Sequence, residues 1–179
     1  MLSALNKNIL VDLVKRIQER GVDLGKIQFQ KLVYFLQEKG VALNYDYEIY
    51  HYGPYCFELA NDLDSLNSLE ILDVSADRQG YGFHISKGRV ADNFSEKNNQ
   101  LVSQNNVNLE FVIDNFGRCD PAEIELKATI HYVNKIMKAH DPRTSEMDVL
   151  SKVEELKPKF TQEYVKKCYD ELNAIMPLA

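Results

Sequence analysis

The stretch Tyr45-Asp46-Tyr47-Glu48-Ile49-Tyr50-His51-Tyr52-Gly53-Pro54-Tyr55-Cys56-Phe57-Glu58-Leu59-Ala60 decides how the rest of the chain is read. Over its first eight residues, Tyr45, Tyr47, Ile49 and His51 alternate with Asp46, Glu48, Tyr50 and Tyr52. A period of two is that of a strand, whose successive side chains point to opposite faces. Gly53-Pro54 ends the alternation, since proline has no N–H to give to a ladder. Proline also suits the first turn of a helix, and Cys56, Leu59, Ala60, Leu63 and Leu66 follow at helical spacing. The stretch therefore predicts a short strand, a break, and a helix over 54–67.

Upstream, Ile9, Leu10, Leu13, Val14 and Ile17 recur every three to four residues and stop at Gly21, which predicts a helix over 4–20. Phe29, Leu32, Val33 and Leu36 make a second stripe that closes at Gly40 and predicts a helix over 25–39, with Lys31, Tyr34 and Gln37 projecting at neighbouring angles. Downstream, two β-prone runs, 69–75 and 81–87, flank Asp77-Arg78-Gln79-Gly80, a glycine-containing hairpin loop. Helix, helix, strand, helix, hairpin is the order of a winged helix. Residues 90–108, rich in Asn, Ser and Gln, read as a linker or a weak helix start. Asp120-Pro121-Ala122-Glu123 then offers a capping carboxylate, a first-turn proline and a second carboxylate, the clearest helix start in the chain. Leu126, Ile130, Val133 and Met137 follow it as a buried stripe. Ser145 and Thr161 are placed to cap two further helices, over 146–156 and 162–175. The expected fold is mainly α with some β (α+β): a winged-helix-like part over 1–89, a linker or weakly ordered helix start over 90–108, and a C-terminal helical bundle over 109–179 packed against the first part.

Residue chemistry narrows the function by subtraction. No run of apolar residues could span a bilayer, and Met1 to Lys15 lack the apolar centre of a secretory signal, so a cytoplasmic protein is expected. Cys56, Cys119 and Cys168 lie far apart in an odd total, which predicts reduced, half-buried thiols with no disulfide or zinc knuckle. Cys119, beside a helix start, is the one thiol with a reason to be reactive. His51, His84, His131 and His140 sit in four different elements without metal-binding spacing, and each reads as structural. His131, on a buried helix, is expected to bond a backbone carbonyl. Neither a nucleophile elbow nor a phosphate-binding glycine loop occurs, so no catalytic residue, cofactor or metal is expected. The net charge of −6 is unevenly spread. Residues 1–40 hold seven Lys/Arg against four Asp/Glu, 41–118 hold five against twelve, and 119–179 hold nine against eleven. A winged helix reads DNA with its third helix, yet no Lys or Arg occurs between Pro54 and Ser75. That weighs against nucleic acid, although Lys26, Lys31 and Lys39 could form a patch on helix two.

Five of the ten tyrosines fall within Tyr45–Tyr55, and tyrosine gives interfaces a large rigid surface with a polar tip. Lys31-Leu32-Val33-Tyr34-Phe35-Leu36-Gln37, then Tyr52-Gly53-Pro54-Tyr55, and later Leu126-Lys127-Ala128-Thr129-Ile130-His131-Tyr132-Val133 together resemble the Panacea-domain family over roughly 5–160. The strand before Tyr52 differs from many members in having no tryptophan. Members of that family include antitoxins that neutralise toxins by direct contact, an adaptor that delivers a toxin to a protease, and proteins of phages and mobile elements. The resemblance implies a binding module whose partner is a protein, such as a toxin or a protease substrate. The candidate partner-binding residues are Lys31, Tyr34, Gln37, Tyr50, Tyr52, Pro54 and Tyr55. Two other readings stay open: a winged-helix DNA-binding regulator, and an enzyme assembled from scattered residues such as His51, Glu58 or His131.

Overall fold

The computed structural model describes residues 3–76, 82–92 and 99–178. Eight helices and two small antiparallel hairpins organise these residues: α1 (Ala4–Glu19), α2 (Lys26–Glu38), β1 (Glu48–Tyr50), β2 (Gly53–Tyr55), α3 (Phe57–Ser68), β3 (Leu72–Ala76), β4 (Phe83–Lys87), α4 (Asn99–Gln104), α5 (Asn106–Phe116), α6 (Pro121–His140), α7 (Glu146–Leu156) and α8 (Gln162–Ile175). The mainly helical α+β architecture expected from the sequence is the one observed.

Most helix starts follow the residues that predict them. Asp120 accepts hydrogen bonds from the Ala122 and Glu123 N–H groups at 2.9 and 2.8 Å with Pro121 in the first turn, so three orphan positions of α6 are dealt with by two residues. Ser145 and Asp148 form a reciprocal capping box at α7, and Thr161 caps α8. The helix predicted over 54–67 begins later. Pro54 lies in β2 rather than in a helix, and Cys56 is the N-cap of α3, its sulfur accepting from the Leu59 N–H. The cause is Gly53, whose φ of +82° turns the chain back on itself so that 53–55 pairs with 48–50. One predicted strand thus becomes a hairpin of two three-residue strands. The segment expected as a linker or a weak helix start holds α4 and the beginning of α5 in its described residues from 99 onward. The expected loop at 77–80 lies outside the described residues.

Alternation nevertheless governs the whole approach to the hairpin. Val41, Leu43, Tyr45 and Tyr47 are buried, while Ala42, Asn44, Asp46 and Glu48 are exposed. Ahead of β1 this segment has no strand neighbour among the described residues, and side chains supply hydrogen bonds in its place.

α2 and α6 are the centre of the molecule. α6 packs on α2, α7, α8 and β2, and α5 closes over α2, where Phe35 and Phe116 stack with ring centroids 4.0 Å apart. α1 covers α4, α5 and β4. The β3–β4 hairpin runs from Leu72 opposite Lys87 to Ala76 opposite Phe83 and is tied to the α1–α2 connection by a bridge between Gly25 and His84. One continuous apolar core extends from Ile9 to Leu178.

Candidate functional site

α2 is buried along nine consecutive residues, Gln28 to Leu36, although Gln28, Gln30 and Lys31 carry amides and an amine. Burying such groups is costly unless each finds a partner, and each does. Gln28 donates from its amide to the Cys119 carbonyl at 2.9 Å. Gln30 pairs with both backbone groups of Cys56, its amide N–H donating to the carbonyl at 2.9 Å and its oxygen accepting from the N–H at 3.1 Å. About two helical turns further on, Gln37 does the same for Tyr45, at 2.9 and 2.7 Å. A primary amide carries a donor and an acceptor side by side, as a peptide unit does, so Gln30 and Gln37 stand in for strand neighbours. Tyr34 shares a 2.8 Å hydrogen bond with Nδ1 of His131 on α6, and the ring packs edge-on against Tyr47.

Lys31 is the least expected member of this set. Only 1% exposed, it donates from Nζ to the Pro54 carbonyl at 2.9 Å. Burial holds its ammonium down to about 7, opposed by the charge of Glu125 on α6 and assisted by Lys157. Glu125, also buried, receives Lys157 at 2.8 Å and the half-exposed Lys159 at 2.9 Å. Lys157 Nζ donates a second bond to the His51 carbonyl at 2.8 Å, and the Tyr132 hydroxyl donates to the Tyr47 carbonyl at 3.0 Å. The Tyr47, His51 and Pro54 carbonyls are therefore held from below by side chains of α2, α6 and the α7–α8 connection. Gly53 rests directly on α6: a Cβ at that position would stand 2.6 Å from Thr129 Oγ1 and 3.2 Å from the Glu125 carbonyl.

The outer side of the hairpin has the opposite character. Glu48 lies opposite Tyr55 and two residues from Tyr50, so these three side chains share one face, while Ile49 and Pro54 share the other. Tyr50, Tyr52 and Phe57 are 47%, 53% and 51% exposed. Tyr50, Tyr55 and Phe57 form a mutual cluster with ring centroids 4.9 to 5.8 Å apart, and Lys159 Nζ lies 5.6 Å from the centre of the Tyr52 ring. On the inward face, Ile49 lines a shallow apolar groove with Tyr132, Val133, Ile136 and Leu156.

The seven residues singled out in the sequence thus divide. Tyr50 and Tyr55 meet in the surface cluster, and Tyr52 is exposed at the turn between β1 and β2. Lys31, Tyr34 and Pro54 are buried and Gln37 is half-buried, and the hydrogen bonds of Lys31 to Pro54 and of Gln37 to Tyr45 hold the corner up. Phe57 and Glu48 complete the surface without having stood out in the sequence, since a helical period hides Phe57's exposure and a lone glutamate in a strand carries no signal. The amides of α2 did leave one: Gln30 and Gln37 seven apart in a largely apolar helix.

Other expectations need correction. All three cysteines are buried rather than half-buried. Cys119 is held up to about 12 by burial, with the charge of Lys127 acting the other way, so the thiol beside the α6 start is not activated. His131 bonds a tyrosine hydroxyl instead of a backbone carbonyl. His51 and Glu58 are exposed while His131 is buried on Tyr34, so the three do not form one constellation. Among the described residues, no group of three His, Cys, Asp or Glu side chains could hold a metal ion, and no helix is long and apolar enough to cross a membrane.

No family model matches the chain, and no curated protein matches it.

Proposed function

We propose that the protein is a non-enzymatic binding module, acting in the cytoplasm, that engages a protein partner through the corner formed by Tyr50, Tyr52, Tyr55 and Phe57. One observation carries the reading: large aromatic side chains are left about half exposed on a hairpin whose backbone is fixed by buried side chains. Exposed aromatic rings at one spot are costly in water unless they are covered in use. Rigid support beneath them reduces the entropy lost on binding, which converts contact area into affinity. The Panacea-like segments give the class: an antitoxin, immunity protein or adaptor, with a toxin or a protease substrate as partner. Co-purification from the native host tests this, using the unaltered chain, a Tyr50→Ser/Phe57→Ser variant, and an α8 surface variant, Lys166→Ser. A partner lost only with the corner variant supports the proposal. A partner retained at full strength by the corner variant contradicts it.

A second reading, a winged-helix DNA-binding regulator, draws support from the element order α1, α2, α3, β3, β4 and from the bridge that ties β4 to the α1–α2 connection. Charge argues against it. α3 carries no Lys or Arg, Lys31 is buried, and Lys26 is placed 3.8 Å from Asp64 and 4.3 Å from the centre of the Phe83 ring. Phosphate contacts supply much of DNA affinity and need free cations.

A further inference from the structure

The geometry points to a cationic segment of the partner, rich in Arg or Lys, as what the aromatic corner takes. This inference rests on the reading of the corner as a protein-binding surface and adds the chemistry of what it binds.

From Gly40 to Asp77 the chain contains no Lys or Arg and eight Asp or Glu. Two of these carboxylates, Glu48 and Glu58, are exposed and adjoin the ring cluster in register or in sequence. Glu48 shares the outward face of the hairpin with Tyr50 and Tyr55, and Glu58 follows Phe57 and is exposed. The face of an aromatic ring carries negative quadrupole charge and attracts ammonium or guanidinium groups, and arginine stacks on it best. Rings bordered by carboxylates offer such a cation two kinds of contact at once. The corner already does this within the chain: Lys159 lies over Tyr52 while its Nζ pairs with Glu125. Tyr50 and Phe57 have no cation placed over them among the described residues, and their clustered rings remain open to solvent. The same charges repel a phosphate backbone.

The probes are peptides of repeated Arg-Gly-Ser and of repeated Glu-Gly-Ser, titrated into the full chain at moderate salt and followed through ring resonances. Expected are shifts at Tyr50, Tyr55 and Phe57 with the arginine peptide and none with the glutamate peptide. Affinity should drop roughly fivefold to tenfold in Tyr50→Ser/Phe57→Ser, which leaves every charge in place. A comparable loss is expected in Glu48→Gln/Glu58→Gln, which leaves every ring in place. Arginine-peptide binding that ignores the loss of the rings, or equal binding of the glutamate peptide, would overturn the inference. Should a host partner depend on Tyr50 and Phe57 yet be indifferent to Glu48→Gln/Glu58→Gln, the cationic segment is refuted and the protein-binding surface survives.

Discussion

Gly53 is the residue on which the corner turns. Its left-handed φ and its contact with Thr129 are separate reasons to exclude a side chain. Gly53→Ala is expected to cost about 2–3 kcal/mol of unfolding free energy in urea titration. Combining it with Thr129→Ala should recover part of that loss, on the order of 1 kcal/mol, because the nearest clash is removed. Full additivity of the two changes would show that the contact is not the cause. Lys31 gives a second test at this scale. Its ammonium titrates at 10.5 in the unfolded chain and at about 7 in the fold. Between those values the unfolded chain binds more protons, so this group makes stability rise with pH, by at most about 1.4 kcal/mol per pH unit. Below that window both states are charged and the full cost of burial persists. The thiols act in the opposite sense at higher pH, since burial raises Cys119 to about 12 and Cys168 to about 11. Urea midpoints compared between roughly pH 6.5 and pH 7.5, about one unit below the free-thiol pKa, report mainly on Lys31: the unaltered chain should gain stability across that interval, and Lys31→Met should flatten the gain. An unchanged slope in the variant would refute the assignment.

At the scale of elements, α2 and the β1–β2 hairpin are understood only as a pair. The sequence shows a helix with one apolar stripe and a tyrosine-rich alternating segment after it, and both elements are observed. That the alternating segment lacks a strand partner ahead of β1 is not readable from it, because the partner groups at Tyr45 are supplied by Gln37 of α2. Pro54 likewise reads as a helix start, since its role in β2 depends on Gly53 meeting Glu125 and Thr129 of α6, residues remote from it in the chain. Glu125 joins these elements. Glu125→Gln would leave Lys157 buried without a counter-charge, and a loss of about 3–5 kcal/mol is expected. Thermal unfolding would register it, and a melting temperature near that of the unaltered chain would mean the ion pair contributes little.

Across the whole molecule, burial and exposure separate the two meanings that the motif residues carried in the sequence. Helix positions and caps were legible because they are local: Asp120, Ser145 and Thr161 announce their helices within a few residues. The side of the hairpin that faces water was not, since it is set by which carbonyls Lys31, Tyr132 and Lys157 reach. Exposed residues contribute little to folding, so Tyr52→Ser and Phe57→Ser should keep unfolding free energies within about 1 kcal/mol of the unaltered chain while removing partner binding. Binding lost in step with stability would point to a structural role instead. The most direct measurement places a photoreactive phenylalanine analogue at position 52 and, as a control, at position 170 on α8, with crosslinking in the native host. A binding corner predicts one discrete crosslinked protein from position 52, absent from position 170 and abolished by Phe57→Ser; crosslinking that is equal at both positions, or unaffected by Phe57→Ser, would contradict it.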